Sequence, residues 1–195
     1  MKFFLFPFFI IPQIAICQVN LLKYEDPYKM DIDKHIFRLM CTFNTGENLL
    51  FTGCYEHEIK RPLTMVLKAG PSIFADDNSV EYGIALAAIA SGELRYYFNL
   101  NRRIKHEKTI RNFSAGYLSL EPFVISKSLT ILNNSGTEEK PASAGAYINI
   151  GFQRQVKRSY VNVFLGTRFF GKIYSNSVDV FDIIQGGIAF GLVLY

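Results

Sequence analysis

The sequence predicts an all-β protein folded as one antiparallel up-and-down β-barrel of about eight strands. Apolar residues recur at every second position through eight segments, which is the period of a β-strand. No long segment keeps the period of an amphipathic helix. With 195 residues, the chain is long enough for one domain with a substantial core or for one small barrel.

The first 17 residues have the pattern of a secretory signal peptide. Lys2 supplies a positive charge, an apolar run follows, and Ala15 and Cys17 are the small residues that a cleavage site before Gln18 requires. A buried N-terminal helix is the alternative, but the two prolines in the run disfavour it. Lipidation of a retained Cys17 is a second alternative, which the bulky Ile16 disfavours. We therefore predict an exported protein.

The composition fits a barrel and disfavours nucleic-acid binding. Loss of Lys2 with the leader lowers the net charge from +4 to +3, which is too small a charge to indicate a nucleic-acid partner. Hydrophobic residues make up 49% of the chain, although no apolar helix is predicted after the leader. A barrel with an apolar outer surface accounts for that content, because each strand then carries an apolar residue at every second position.

Residues 18–33 are mixed and polar, and we predict a mobile lead-in to a barrel that spans 34–195. Strands are predicted at residues 35–43, 49–59, 63–75, 81–98, 115–131, 144–156, 160–171 and 180–195.

Alternation is clearest in the fourth predicted strand. One face, which includes Leu86 and Leu94, carries no charge, whereas the opposite face carries Glu93 and Arg95. Leu120 and Ile150 belong to similar apolar faces in later strands. Two barrels fit this pattern: a transmembrane barrel with the apolar face outside, and a soluble periplasmic barrel in which Leu86, Leu120 and Ile150 line a cavity for an apolar ligand.

Three details favour the transmembrane β-barrel. The fourth and fifth strands are longer than the usual strand of about 5–6 residues. Aromatic residues cluster at the end of a strand, at Tyr96, Tyr97 and Phe98, as they do in a girdle at a membrane interface. The segment 186–195 is an apolar terminal strand that ends on the aromatic Tyr195.

Short segments along the chain add to this pattern. They are Ala15–Gln18 at the end of the leader, Tyr55–Ile59, Glu93–Arg103, Asn112–Leu120 and the terminal strand. Together they resemble the small outer-membrane β-barrel proteins of Bacteroidota. The resemblance implies the fold, the outer membrane as location, its lipid as a contact, and the barrel-assembly machinery as a partner of the C-terminal strand. It implies no activity and carries over no catalytic residue.

Eight charged residues fall on the predicted inward faces. An eight-stranded barrel has an interior that side chains just fill, so we expect these acids and bases to neutralise one another and to plug the lumen. A polar conduit or a proton-linked site is the functional alternative. The eight residues are Glu56, Glu58, Lys68, Glu93, Arg95, Glu121, Lys127 and Arg168.

A long basic connection is predicted between the fourth and fifth strands, at the periplasmic side. We expect a short amphipathic helix in residues 99–114, with Ile104 as its apolar contact. Its cations could bind anionic lipid headgroups or a periplasmic partner, and a solvated loop is the simpler interpretation. The cations are Arg102, Arg103, Lys105, Lys108 and Arg111.

No motif indicates catalysis, a cofactor or a metal. His57 lies between two glutamates, but successive residues of a strand point to opposite faces, so His57 points away from both. His35 and His106 lack partners in the sequence, and no nucleophile elbow is present. Cys41 and Cys54 could pair only if the strand register allows it. We predict a non-enzymatic protein with a structural or interaction role, and keep a lipid-modifying barrel enzyme as an alternative.

Overall fold

A computed structural model describes residues 34–44, 48–76, 83–106, 108, 110–132, 141–172 and 184–194. The predicted signal peptide and lead-in, residues 1–33, lie outside the described residues. Within these ranges, no helix is long and apolar enough to cross a membrane.

Nine β-strands and two short helical segments make up this part of the chain. The strands are β1 (His35–Asn44), β2 (Asn48–Lys60), β3 (Leu63–Asp76), β4 (Gly83–Tyr96), β5 (Gly116–Ile125), β6 (Leu129–Leu132), β7 (Ser143–Val156), β8 (Ser159–Lys172) and β9 (Ile184–Leu194). Helix α1 (Leu100–Lys105) and a 3-10 turn (Arg111–Phe113) lie between β4 and β5.

The strands close into a barrel. From β1 to β5 and from β7 to β9 each strand pairs antiparallel with the next along the chain, β5 pairs with β7, and β1 pairs with β9 to complete the ring. β5 and β6 both pair with β4, one after the other, so they share a single position in the ring. The result is an eight-stranded antiparallel up-and-down barrel, which confirms the predicted fold class.

The two ends of the barrel have different connections. The tight turns after β2 and β7 and the α1 connection lie at one end, together with the end of β9; we call this the helix end. At the opposite end, which we call the loop end, β1, β3, β6 and β8 end and β2, β4, β7 and β9 begin.

Alternation along the strands separates an apolar outer face from a polar inner face. Leu120 is 43% exposed and Ile150 is 53% exposed on the outside, whereas Glu93 and Arg95 are buried inside. Leu86 is on the outer face of β4, the same face as the exposed Leu94. These positions agree with the predicted facing. They are the reverse of the soluble alternative, which required Leu86, Leu120 and Ile150 to line the interior.

The fifth predicted strand is interrupted, which corrects the prediction of one strand over 115–131. Between the pairs Ile89–Ile125 and Leu86–Leu129, β4 advances by three residues and its partner advances by four. The extra residue is a β-bulge, and it reverses the faces that follow, because side chains alternate strictly.

Ser126 secures the bulge. Its backbone N–H donates to the carbonyl of Ala88 at 2.8 Å, and its hydroxyl accepts from the N–H of Ala88 at 2.9 Å. Lys127 follows, outside both strands and exposed, so its predicted inward position is wrong. Beyond the bulge, Ser128 is buried and Leu129 is exposed.

Strands β2 and β3 approach closely at Gly70. A Cβ atom at this residue would lie 1.9 Å from the carbonyl oxygen of Phe51 and 2.9 Å from the Cα atom of Thr52. Both atoms belong to the backbone and cannot move aside as a flexible side chain would. Only glycine fits this approach between the strands.

Gly70→Ala is expected to destabilise the barrel by about 1–3 kcal/mol, because the methyl group must push β2 and β3 apart. Gly53→Ala is the matched control: its added Cβ would be 3.9 Å from the nearest atom, on the exposed face of β2. Its effect should stay within about 0.5 kcal/mol. The free energy of unfolding in urea, followed by circular dichroism, compares the two. Equal values would contradict the close approach.

Candidate functional site

The candidate functional site is the polar interior of the barrel. It is built by inward positions of eight strands, where side chains of acids, bases, amides and tyrosines meet in a mostly buried space. Charges in such a space are costly unless they are paired and hydrogen-bonded. The contacts form three groups, arranged from the helix end to the loop end.

Glu56 is the centre of the first group, near the helix end. Its carboxylate accepts hydrogen bonds from Arg38 at 2.6 Å, from the Tyr97 hydroxyl at 2.6 Å and from Thr64 at 2.9 Å. Arg38 also lies over the ring of Tyr160, 4.4 Å from its centroid. Burial and the Glu56 carboxylate raise the pKa of Tyr97, so this hydroxyl stays protonated and remains a donor.

Glu93 is the centre of the second group. Its carboxylate contacts Arg95 at 2.6 Å and Lys68 at 2.7 Å, and both glutamate and arginine are fully buried. Arg95 donates in addition to the side-chain carbonyl of Gln153 at 2.6 Å, which also accepts from the Tyr160 hydroxyl at 2.8 Å. The acid and its two bases come from the neighbouring strands β3 and β4, and the hydrogen bonds to Gln153 and Tyr160 extend the group to β7 and β8.

Glu121 is the centre of the third group, toward the loop end. It accepts from Lys68 at 2.7 Å, from Ser91 at 2.8 Å and from the amide of Asn149 at 3.0 Å. Gln185 donates to Asn149 at 3.1 Å and extends the network to β9. Lys68 bridges Glu121 to Glu93, so the second and third groups form one continuous chain of alternating charges.

Toward the loop end the packing is looser. A cavity of about 70 Å³ lies beside Lys68 and Glu121, with Thr52 and Tyr147 also in its wall. This is room for a few water molecules. Arg168 lies beyond it, with its guanidinium 5.5 Å from the Tyr147 ring and 3.4 Å from the Tyr147 hydroxyl.

The connection between β4 and β5 covers the helix end. Leu100 of α1, Ile110 and Phe113 are buried in the same apolar cluster as Ile36, and Ile104 packs against it, as predicted from its pattern. Asn112 donates to the side chain of Gln155 at 2.8 Å and attaches the connection to β7.

Backbone strain marks this connection. Asn112 and Phe113 have φ values of 44° and 61°, in the left-handed region that favours glycine. Such a conformation costs a non-glycine residue about 1–3 kcal/mol. Phe113 is fully buried and stacks on Tyr97 with ring centroids 5.2 Å apart, and this packing offsets the cost.

The predicted basic cluster lies on the outside of this connection. Arg102, Lys105 and Lys108 are exposed, and Arg103 is half-buried. Partial burial and the nearby Arg154 lower the pKa of Arg103. The side chain of Arg111 lies outside the described part of the structure. The cluster therefore forms a cationic surface at the helix end.

The structure places most of the eight predicted lumen residues together. Glu56, Lys68, Glu93, Arg95 and Glu121 belong to the three groups described above. Glu58 is at the rim, 3.4 Å from Arg61, and Arg168 contacts Tyr147 toward the loop end. Lys127 is displaced by the bulge.

Sequence reasoning missed several partners. Arg38 contributes a fourth buried cation. It lies between Phe37 and Leu39, which both point outward, so the period of two along β1 could have identified it as an inward residue. The tyrosines Tyr97, Tyr117 and Tyr160 also point inward. For Tyr97 this removes one member of the predicted aromatic girdle, whereas Tyr96 and Phe98 are exposed as expected.

The structure settles the open question about the cysteines and corrects the expectation that His35 lacks a partner. Cys54 is buried inside and Cys41 is on the outer face, so the two thiols lie on opposite sides of the sheet and are not joined. His57 is on the outer face as predicted, but His35 has a partner after all, since the two imidazoles are paired across β1 and β2. Within the described ranges, no three side chains of His, Cys, Asp or Glu form a metal-binding group.

Comparisons with protein-family models, with curated proteins and with solved structures found no match to this chain.

Glu93→Gln is expected to destabilise the barrel by about 3–5 kcal/mol, because it leaves Arg95 buried without its carboxylate. Glu93→Gln combined with Arg95→Gln should cost less than the single substitution, since no orphaned cation remains. Glu58→Gln is the control on the same face of the sheet: its partner Arg61 is exposed, and the loss should be below about 1 kcal/mol. Urea unfolding measures these three variants and Arg95→Gln alone. A double variant that is as unstable as the sum of both single variants would contradict the pairing.

Proposed function

We propose that this chain is a non-enzymatic β-barrel of the cell outer membrane, with a lumen plugged by its own side chains and a structural or interaction role at the envelope. The observation that carries the proposal is the distribution of polarity. Large apolar side chains are exposed around the whole ring, from Phe37 on β1 to Leu194 on β9, while the buried charges are inside. A barrel in water would have the opposite arrangement, and a barrel in lipid requires this one.

Strand length and aromatic residues support the same location. A tilted strand needs about 9–11 residues to cross the hydrocarbon core, and β1 has 10 residues, β4 has 14 and β9 has 11. Phe37, Tyr96 and Phe98 are half exposed near the helix end, where an interfacial girdle would lie. The predicted signal peptide would take the chain across the inner membrane.

The interior supports a plugged lumen. The side chains of Glu56, Glu93 and Arg95 are fully buried, and the α1 connection covers the helix end. A path for ions would need to displace ion pairs that neutralise one another. We therefore propose a barrel that does not conduct, and whose contacts with other molecules are made at its ends.

The partners we propose follow from the surfaces. Outer-membrane lipid would cover the apolar belt, and β9 would engage the barrel-assembly machinery, as its resemblance to the small outer-membrane barrels of Bacteroidota implies. The exposed Arg102, Lys105 and Lys108 at the helix end would face anionic headgroups or a periplasmic partner.

Fractionation of the cell envelope tests the location. The protein is expected in the outer-membrane fraction, and its unboiled form should migrate differently from its boiled form on electrophoresis, because a closed barrel resists detergent until it is heated. Reconstitution into a planar bilayer should give no steady ion current. A protein recovered in the periplasm without a heat-dependent shift would overturn the proposal.

Lysine substitutions test which surface meets lipid. Ile150→Lys, in the middle of β7, should cost about 2–4 kcal/mol of folding free energy if the residue faces the bilayer midplane. Ile59→Lys is the matched control: it is equally exposed, at 52% against 53%, but lies next to the turn at the helix end, where the cost should be about 0–1 kcal/mol. Unfolding in urea from lipid vesicles measures both. Equal costs would contradict the membrane depth.

A further inference from the structure

Three polar atoms converge on the outer surface of the barrel, at the helix end. His35 begins β1 and pairs with His57 on β2, and the next outward pair in the register is Phe37 with Tyr55. The Nδ1 atoms of the two imidazoles are 3.3 Å apart, and the Tyr55 hydroxyl is 2.7 Å from Nδ1 of His35. All three side chains lie on the outer face of the sheet, whereas the buried ion pairs lie on the inner face.

The register of two strands holds this arrangement. The imidazole rings are stacked, with centroids 4.6 Å apart and an interplanar angle of 26°. Nδ1 of His35 is therefore within hydrogen-bond distance of both other atoms, and the tautomers of the two rings decide which atom donates. Two atoms that can each offer a lone pair, Nδ1 of His57 and the Tyr55 hydroxyl oxygen, lie within 3.3 Å of Nδ1 of His35.

The separation of the two Nδ1 atoms suits a metal ion. Two nitrogen ligands at about 2.0–2.1 Å from a tetrahedral Zn²⁺ are separated by about 3.3–3.4 Å. The two Nδ1 atoms are already at that separation before any ion is bound. Imidazole nitrogen is a preferred ligand of late first-row divalent cations such as Zn²⁺ and Cu²⁺, and a phenol oxygen can supply a further donor.

We propose that His35 and His57 bind a divalent cation of the Zn²⁺ class through their Nδ1 atoms, with the Tyr55 hydroxyl oxygen as a third ligand and water completing the shell. Both imidazoles then carry their remaining proton on Nε2. The site lies on the rim of the barrel, at the end where the proposed function places the periplasm, but its chemistry does not depend on that location.

Calorimetric titration of the full chain with Zn²⁺, in a preparation without a polyhistidine tag, tests the site. We expect one Zn²⁺ per chain. His35→Ala and His57→Ala should each weaken the affinity at least about tenfold, since each removes one of two nitrogen ligands. Tyr55→Phe should weaken it less. Co²⁺ should give the intense visible absorption of a tetrahedral site in the original protein and not in the His57→Ala variant.

Two variants are matched controls. His106, the third histidine, is exposed at the end of α1, and His106→Ala should leave the affinity unchanged. Cys41→Ser removes the thiol of the outer face and should also have no effect. Far-UV circular dichroism confirms that each variant is folded, and His57→Gln replaces any alanine variant that is not. Absence of Zn²⁺ binding, equal affinity in the two histidine variants and the original protein, or loss of binding in Cys41→Ser would overturn the proposal.

Discussion

Neutralisation of charge inside a narrow ring of strands is the constraint on which this structure depends. An eight-stranded barrel leaves room for side chains only, so each carboxylate inside must find its cations among neighbouring strands. Glu93 lies between Lys68 and Arg95, and Glu121 shares Lys68. Because these residues come from β3, β4 and β5, the network also holds the strand register, and a shift by one residue would expose its charges to the outer face.

The bulge between β5 and β6 changes which side chains the interior must accommodate. One extra residue beside β4 changes which face the following side chains occupy, and Ser126 keeps the backbone paired through two hydrogen bonds to Ala88. Lys127 thereby leaves the interior. The carboxylate of Glu56 is neutralised by Arg38, a buried cation on a different strand.

The two ends of the barrel have different physical characters. At the helix end, the α1 connection buries Leu100, Ile110 and Phe113 and accepts backbone strain to do so. At the loop end, Lys68 and Glu121 remain partly accessible beside a cavity of about 70 Å³. The helix end is therefore built for closure, with cations on its outside, whereas the polar groups at the loop end can be reached.

By itself, the sequence determined the number of strands in the ring and the direction in which most side chains point. The period of two, with uncharged and charged positions on opposite faces, is a local property of each segment, so Glu93 and Ile150 could be placed without knowledge of their neighbours. The short α1 helix and the inward position of Ile104 were also predictable from a local pattern, because one apolar residue lies within a long basic connection.

Only the tertiary structure decided which residues meet. The partnership of Arg38 with Glu56, the bridge of Lys68 between two carboxylates and the convergence of His35, His57 and Tyr55 all join residues from different strands. The bulge that moves Lys127 outward arises from a mismatch between two strands that neither strand reveals alone. Register and closure are properties of pairs of strands, and a one-residue difference in pairing changes every contact that follows it.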